Sequence, residues 1–234
     1  MNRILKLIWY WSLCILPFTS MITFIVTLVV CNQVLRNNNE LNQDLPNISV
    51  LGTRSGYKYF VAGFVLLAAQ FLLNLIGRLQ YLCQSQFIIN RIILYLIHLN
   101  GLIASIFMLI MAIVNLRQNG PLHVTAAITM FGFLGGYCIL HTCAIFYLFI
   151  KRSQAPQYSN IFLPIWFLIC SIVLIICVSI WVSNMPNSIP QYIAASMPFL
   201  YTIGFIPQFF KQARMEGESR VSSRQSNCSN DIAL

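Results

Sequence analysis

Acidic side chains are almost missing: the 234 residues contain five Asp and Glu against fourteen Lys and Arg, and charged residues make up only 8% of the chain. All five acids, Glu40, Asp44, Glu216, Glu218 and Asp231, lie outside the long apolar runs. Coupled pumps and cation exchangers ordinarily need carboxylates inside the membrane, and this chain offers none there. A membrane zinc hydrolase would need ligands in reach of one another and a neighbouring acid. Histidines 98, 123 and 141 are not paired at a ligand spacing. There is no phosphate-binding glycine loop and no Gly-x-Ser-x-Gly elbow. No enzyme, metal or other cofactor is expected.

Cysteine is present but misplaced for disulfides. Cys14, Cys138, Cys143, Cys170 and Cys177 fall inside apolar runs, Cys83 and Cys228 fall on the other side of the membrane from Cys31, and a lone outer cysteine makes no internal bridge. Cys83 and Cys228 are candidates for palmitoylation.

Apolar residues are abundant, at 58%, with a mean hydropathy of +0.75. A span needs roughly 20 mostly apolar residues, and six stretches qualify, near 9–35, 58–77, 92–115, 123–150, 161–183 and 191–210. The fold class expected is all-α, a six-helix transmembrane domain over 1–210 with a polar, Ser-rich, disordered tail over 211–234. The first run is too long for a signal peptide and lacks a small-x-small cleavage site, so it reads as a retained span.

A net charge of +9 raises the question of nucleic acid, but the basic residues cluster at span ends. Arg3, Lys6, Arg78, Arg91, Lys151, Arg152, Lys211, Arg214, Arg220 and Arg224 fall on one side, against Arg36, Arg54, Lys58 and Arg117 on the other. The positive-inside bias then places both termini in the cytosol. Anionic lipid headgroups are a sufficient partner for that charge, and no nucleic acid is expected.

This orientation puts the polar stretch from Arg36 to Tyr57 outside, where Asn47-Ile48-Ser49 is a glycosylation sequon. The sequon Asn227-Cys228-Ser229 stays in the cytosol and bare. Within the outer loop, Leu45 to Gly52 reads as a tight turn laid on the membrane surface. Further along, Pro17, Pro198, Gly204 and Pro207 predict kinks in the first and last spans. Tyr158-Ser159-Asn160-Ile161 has the form of a tyrosine sorting signal. Ser222, Ser223 and Ser226 are candidate phosphosites, and the terminal Ile232-Ala233-Leu234 suits a PDZ groove, so protein partners are expected through the tail.

Inside the spans, polar residues stand out. Gln70 and Asn74 share one helix face. His123 and His141 are eighteen residues apart, five whole turns and about 27 Å along a helix. His141, His98, Gln70, Asn74 and Asn100 are expected to form a polar cluster in the cytosolic half of the bundle. Two readings of it stand, structural hydrogen bonding between helices and a site for a lipid headgroup or sterol hydroxyl.

The stretch from Pro121 to Tyr137 opens the fourth span with Ala126, Ala127, Gly132, Gly135 and Gly136, a seam where a neighbouring helix would approach closely. Its order of His123-Val124, small residues including Ala127, Phe131-Gly132 and Tyr137 resembles the fourth membrane helix of the damage-regulated autophagy modulator (DRAM) family. The segment Pro46-x-Ile48-Ser49-x-x-Gly52 and the third-span opening His98-Leu99-Asn100-Gly101 resemble the same family in the same order. Two departures stand: Ser55-Gly56 where many relatives have a Pro-Glu pair, and Ala195-Ser196-Met197 where they have Glu-Trp. The resemblance implies a lysosomal or late-endosomal membrane protein that promotes autophagy, acting through partners or bound lipid. Related branches imply an alternative, a plasma-membrane or Golgi protein that adjusts lipid composition, phosphoinositide supply or GPI-anchor remodelling. An uncoupled channel or lipid scramblase is a third.

Overall fold

The computed structural model describes residues 3–41, 45–83, 88–154, 158–184 and 187–215. Its helices are α1 (Arg3–Asn37), the short α2 (Ile48–Leu51), α3 (Tyr57–Cys83), α4 (Arg91–Ile113), α5 (Gly120–Ile150), α6 (Phe162–Ser183), α7 (Ser188–Ile203) and α8 (206–215). Among the described residues six helical stretches, with α7 and α8 together counted as one, are long and apolar enough to cross a membrane. Each span packs on the next in sequence, and α7 returns to α1, with the Phe24 and Phe199 rings 4.9 Å apart, so the bundle closes into a ring.

Asparagine starts four of these helices. Asn90, Asn119, Asn160 and Asn187 each turn a side-chain oxygen back to an amide near the helix start, at Ile92, Leu122, Phe162 and Ile189 respectively. These donors have no intrahelical partner otherwise, and a membrane edge is a poor place to leave them bare. Once begun, the helices persist because hydrocarbon offers the backbone no other hydrogen-bond partner. Their outer faces carry exposed Ile22, Val26, Ile93, Leu96 and Ile169, as lipid contact requires.

The two ends of the bundle are tied differently. At the end that carries both termini, the Trp9 indole donates to Gln80, Trp11 meets Phe210 edge-on at 5.6 Å, and Tyr81 meets Tyr158. Tyr158, the residue of the sorting-like motif, is 1% exposed, so that motif is not displayed on the surface. The tail beyond Met215, with its second sequon, Cys228, serines and terminal motif, lies outside the described residues; 211–215, read as the start of the tail, are helical.

At the opposite end, Leu45 to Gly52 is not a turn lying on the membrane. Ile48 and Leu51 are buried, and the segment is clamped to α7. The Ser188 hydroxyl donates to Leu45 O, the Tyr192 hydroxyl donates to Pro46 O, and the Ile48 amide donates to Gln191 Oε1 at 2.9 Å. Asn47 is half-buried, Ser49 likewise, and Gly52 admits the Phe60 ring where a Cβ would stand. Nearby, the Glu40 carboxylate accepts from the Ser55 hydroxyl at 2.8 Å and from its amide at 3.2 Å. A carboxylate therefore does reach Ser55-Gly56, from another part of the loop. The Ser55 hydroxyl foremost, then its amide and the Arg54 and Arg117 charges, hold Glu40 below the usual glutamate range.

The glycine seam of α5 is half overturned. Ala126 and Ala127 are buried as a seam demands, but side chains added at Gly132 and Gly135 would meet nothing within 4 Å. Of the three seam glycines of α5 only Gly136 is approached, by Asn100 of α4 at 3.4 Å, and the closer approaches are made at Gly63 and Gly77 of α3, against Thr27 and Leu13 of α1, and at Gly101 of α4, against Leu75 of α3. Pro17 lies within an uninterrupted α1. The last span does break, at Gly204 and Phe205, and Gly204 admits the Phe167 and Trp166 rings to 2.6 and 2.8 Å of where a Cβ would be. The break frees Leu200 O from its helical partner, and the Trp166 indole donates to it at 3.0 Å.

Candidate functional site: a buried polar centre around Arg78

α3 continues past position 77 to Cys83, because Leu79, Tyr81 and Leu82 remain apolar and Tyr81 and Leu82 find buried places. Arg78 is thereby carried inside the bundle, more than a turn from the helix end. It is 0% exposed, not an anchor at the membrane surface as its position near a span end suggests. Among the described residues it is the single Lys, Arg, Asp or Glu in the buried set.

Its guanidinium lies over the Phe205 ring at 4.7 Å, with Tyr81 at 5.5 Å and Phe167 at 5.8 Å. Arg78 Nε donates to His141 Nε2 at 2.8 Å, and Nη1 donates to Gln208 Oε1. Arginine only donates, so His141 is fixed as the neutral tautomer protonated at Nδ1. That Nδ1–H donates to the Tyr201 hydroxyl at 2.6 Å, and Tyr201 donates onward to Cys138 O at 3.1 Å. Thr142 lies 3.0 Å from the same hydroxyl and 3.2 Å from Ser171, whose own proton goes to Phe167 O. The result is a directed chain of hydrogen bonds from α3 through α5 to α7, anchored on α6.

His98 approaches this centre from α4. Its Nδ1 donates to Leu94 O at 2.8 Å, and its ring stands edge-on to Tyr137 at 5.6 Å, with His141 stacked on the same tyrosine at 5.5 Å. Asn74 is fully buried one turn from Arg78 and spends its amide on Gln70 O. Three of the five residues expected to cluster thus lie in or beside the centre. Gln70 faces away and donates to Thr23 of α1 at 3.2 Å. Asn100 bonds back to Leu96 O and lines a groove of about 690 Å³ with Ile97, Ala144 and Cys143, outside the centre.

Most of the remaining family-like residues lie outside the centre. His123 sits at the other end of α5 and donates to Val114 O at 2.7 Å, closing the turn from α4. Val124 is half-buried, Phe131 meets the Trp181 ring at 5.7 Å, and Gly132 is exposed. Tyr137 alone among them belongs to the centre. Sequence reasoning missed Arg78, Tyr201, Gln208 and Gln212; the spacing of the two glutamines, four apart and flanked by Phe205 and Phe209, is the signal that was there to read.

Several polar atoms of this centre have no hydrogen-bond partner among the described residues: Arg78 Nη2, Gln208 Nε2, both amide atoms of Gln212, Asn74 Oδ1, His98 Nε2 and the Tyr137 hydroxyl.

A six-helix multi-pass membrane protein with a polar centre enclosed between its spans is the class these features define. The family model of the Frag1/DRAM/Sfk1/Cwh43P N-terminal domain matches residues 7–209, and the chain belongs to that family. Comparison with curated proteins and with solved structures returns no match.

Proposed function

We propose that this protein is a DRAM-like, non-enzymatic regulator of autophagy in the lysosomal or late-endosomal membrane, acting through lipid held in its bundle. Family membership supports the autophagy reading. The observation that carries the lipid reading is the polar centre itself, whose hydrogen-bonding groups are withdrawn from both aqueous faces and left partly unspent. An ionisable residue inside a membrane bundle, here Arg78, is by default a pointer to a functional site. The rings of Tyr137, Phe167, Tyr201 and Phe205 fill the space between the spans, which weighs against a channel.

The alternative, control of lipid composition, phosphoinositide supply or GPI-anchor remodelling at the plasma membrane or Golgi, is favoured by one observation. Tyr158 is buried against Tyr81, so the one tyrosine motif suited to endosomal sorting is withheld. Steady-state location of the untagged protein, together with autophagic flux in a null mutant, decides between the two. Lysosomal signal with reduced flux is the expected result. Surface signal with normal flux and altered phosphoinositides would replace the first reading with the second.

A further inference from the structure

Arg78 carries a full positive charge that no acidic side chain among the described residues balances. Guanidinium stays protonated in proteins, and its two hydrogen-bonded partners, His141 Nε2 and Gln208 Oε1, are neutral acceptors. Aromatic faces attract a cation but bring no net negative charge. The one acid among the described residues, Glu40, is engaged at Ser55, roughly 35 Å away along α3 at 1.5 Å per residue. A buried charge in this condition is costly unless paired.

Three of the unspent atoms are N–H donors, on Arg78, Gln208 and Gln212, beside the acceptors Gln212 Oε1, Asn74 Oδ1 and His98 Nε2. Arg78 Nη2 has both N–H bonds free, and Gln208 Nε2 belongs to the same amide whose oxygen already touches the guanidinium. Gln212 Nε2 lies one turn further along α8 on the same face, toward the end that carries the termini. All three side chains are at least nine-tenths buried. At that same end Lys151, Arg152 and Lys211 are exposed, a basic rim that raises the local concentration of anions.

We propose that Arg78, with the free amide donors of Gln208 and Gln212, binds a phosphate group that enters from the end of the bundle bearing both termini. A phosphodiester or monoester supplies the missing negative charge together with several acceptor oxygens. A guanidinium and two amides are the donor set that such oxygens take. The proposal rests on the reading above that the bundle acts through a bound ligand, and it names the chemistry of that ligand. The phosphate belongs either to a lipid headgroup, which lies near this depth with its chains in the bilayer, or to a soluble ion.

Full-length protein, delipidated in detergent, is titrated with dioctanoyl phosphatidic acid, with dioctanoylglycerol as the same chains without phosphate, and with inorganic phosphate, reading adducts by native mass spectrometry. Phosphatidic acid is expected to bind one per chain and dioctanoylglycerol not to. Competition by inorganic phosphate at similar concentration identifies a soluble ion as the source; its failure to compete identifies the lipid. Arg78→Gln is expected to weaken binding at least about a hundredfold, and Gln212→Ala about tenfold, since a hydrogen bond to a charged group is worth about 1.5–3 kcal/mol. The Gln212 side chain bonds to nothing among the described residues, so its variant folds even where Arg78→Gln does not. Lys211→Gln serves as the surface control and keeps the binding. Equal binding by wild type, Arg78→Gln and Gln212→Ala overturns the proposal. So does a gain of binding in Glu216→Gln/Glu218→Gln, which would mean that a carboxylate of this chain already neutralises Arg78. Binding is read on purified protein and flux in cells, so a bound phosphate with unchanged flux in Gln212→Ala refutes the autophagy reading and leaves the site standing.

Discussion

Replacing Gln191 by Ala removes the acceptor of the Ile48 amide and nothing else of size. Both partners are buried, Gln191 at 4% exposure, and the bond joins positions 143 residues apart in sequence. Alanine leaves a buried N–H with no acceptor, a loss of about 1–3 kcal/mol. The neighbouring clamp, from the Ser188 hydroxyl to Leu45 O, is exposed. In Ser188→Ala water replaces the donor, and the loss stays below about 0.5 kcal/mol. Cys31 provides the readout, because it is fully buried under the same outer segment with its sulfur 3.6 Å from Gly56 O. Its alkylation rate in detergent, read peptide by peptide by mass spectrometry, follows the equilibrium for lifting that segment. At 1.4 kcal/mol per factor of ten, Gln191→Ala raises the rate about 5- to 140-fold and Ser188→Ala less than about threefold. Equal rates in the two variants would refute the idea that burial of the donor, and not the number of clamps, holds the loop.

Gly63→Ala places a methyl where Thr27 already stands and lowers thermal stability by about 1–3 kcal/mol, whereas Gly132→Ala meets open space and gains up to about 1 kcal/mol of helix propensity; unfolding temperatures in one detergent check both. Glu40 is depressed below its ordinary value of 4.5, so its hold on Ser55 is complete above that value and is lost only as the pH falls through the lowered one. Proteolysis of the outer loop is therefore equal at pH 7 and pH 5 in the wild type and faster at both in Glu40→Gln; a wild-type increase between pH 7 and pH 5 would refute the assignment. Asn47→Gln abolishes a glycosidase-sensitive mobility shift while Asn227→Gln does not, and the reverse result would invert the orientation expected from the positive-inside bias.

Six spans are legible in this sequence because hydrocarbon demands that every backbone group be bonded within its own helix, and composition alone then decides where helices stand. Which way each polar side chain turns is not legible, for a reason visible in Asn74, Asn100 and Ser105. Each donates to a carbonyl four residues back in its own helix, so its donor no longer demands a partner across the bundle. Asn100 can face the bilayer side for that reason, while Asn74 is buried by its place on the face that carries Arg78. The histidines are different, since a ring reaches further and presents two nitrogens; His98 and His141 do meet on Tyr137. The glycines of α5 mislead in the same way, since smallness permits close approach without causing it, and the closer approaches fall on Gly63, Gly77 and Gly101 instead.

Arg78 shows how a sound rule fails on one residue. Counting cations at span ends assumes that each such cation reaches water, and the apolar residues 79, 81 and 82 extend the helix beyond that reach. The scarcity of acid that first argues against coupled transport then acquires a second meaning. A bundle with a buried arginine ordinarily carries a buried carboxylate to match it, and in the described spans there is none. Either the energy of a bare charge is met by packing alone, or an anion from outside the chain completes the centre. The free donors on Arg78, Gln208 and Gln212 point to the second, because each is buried and has no acceptor among the described residues.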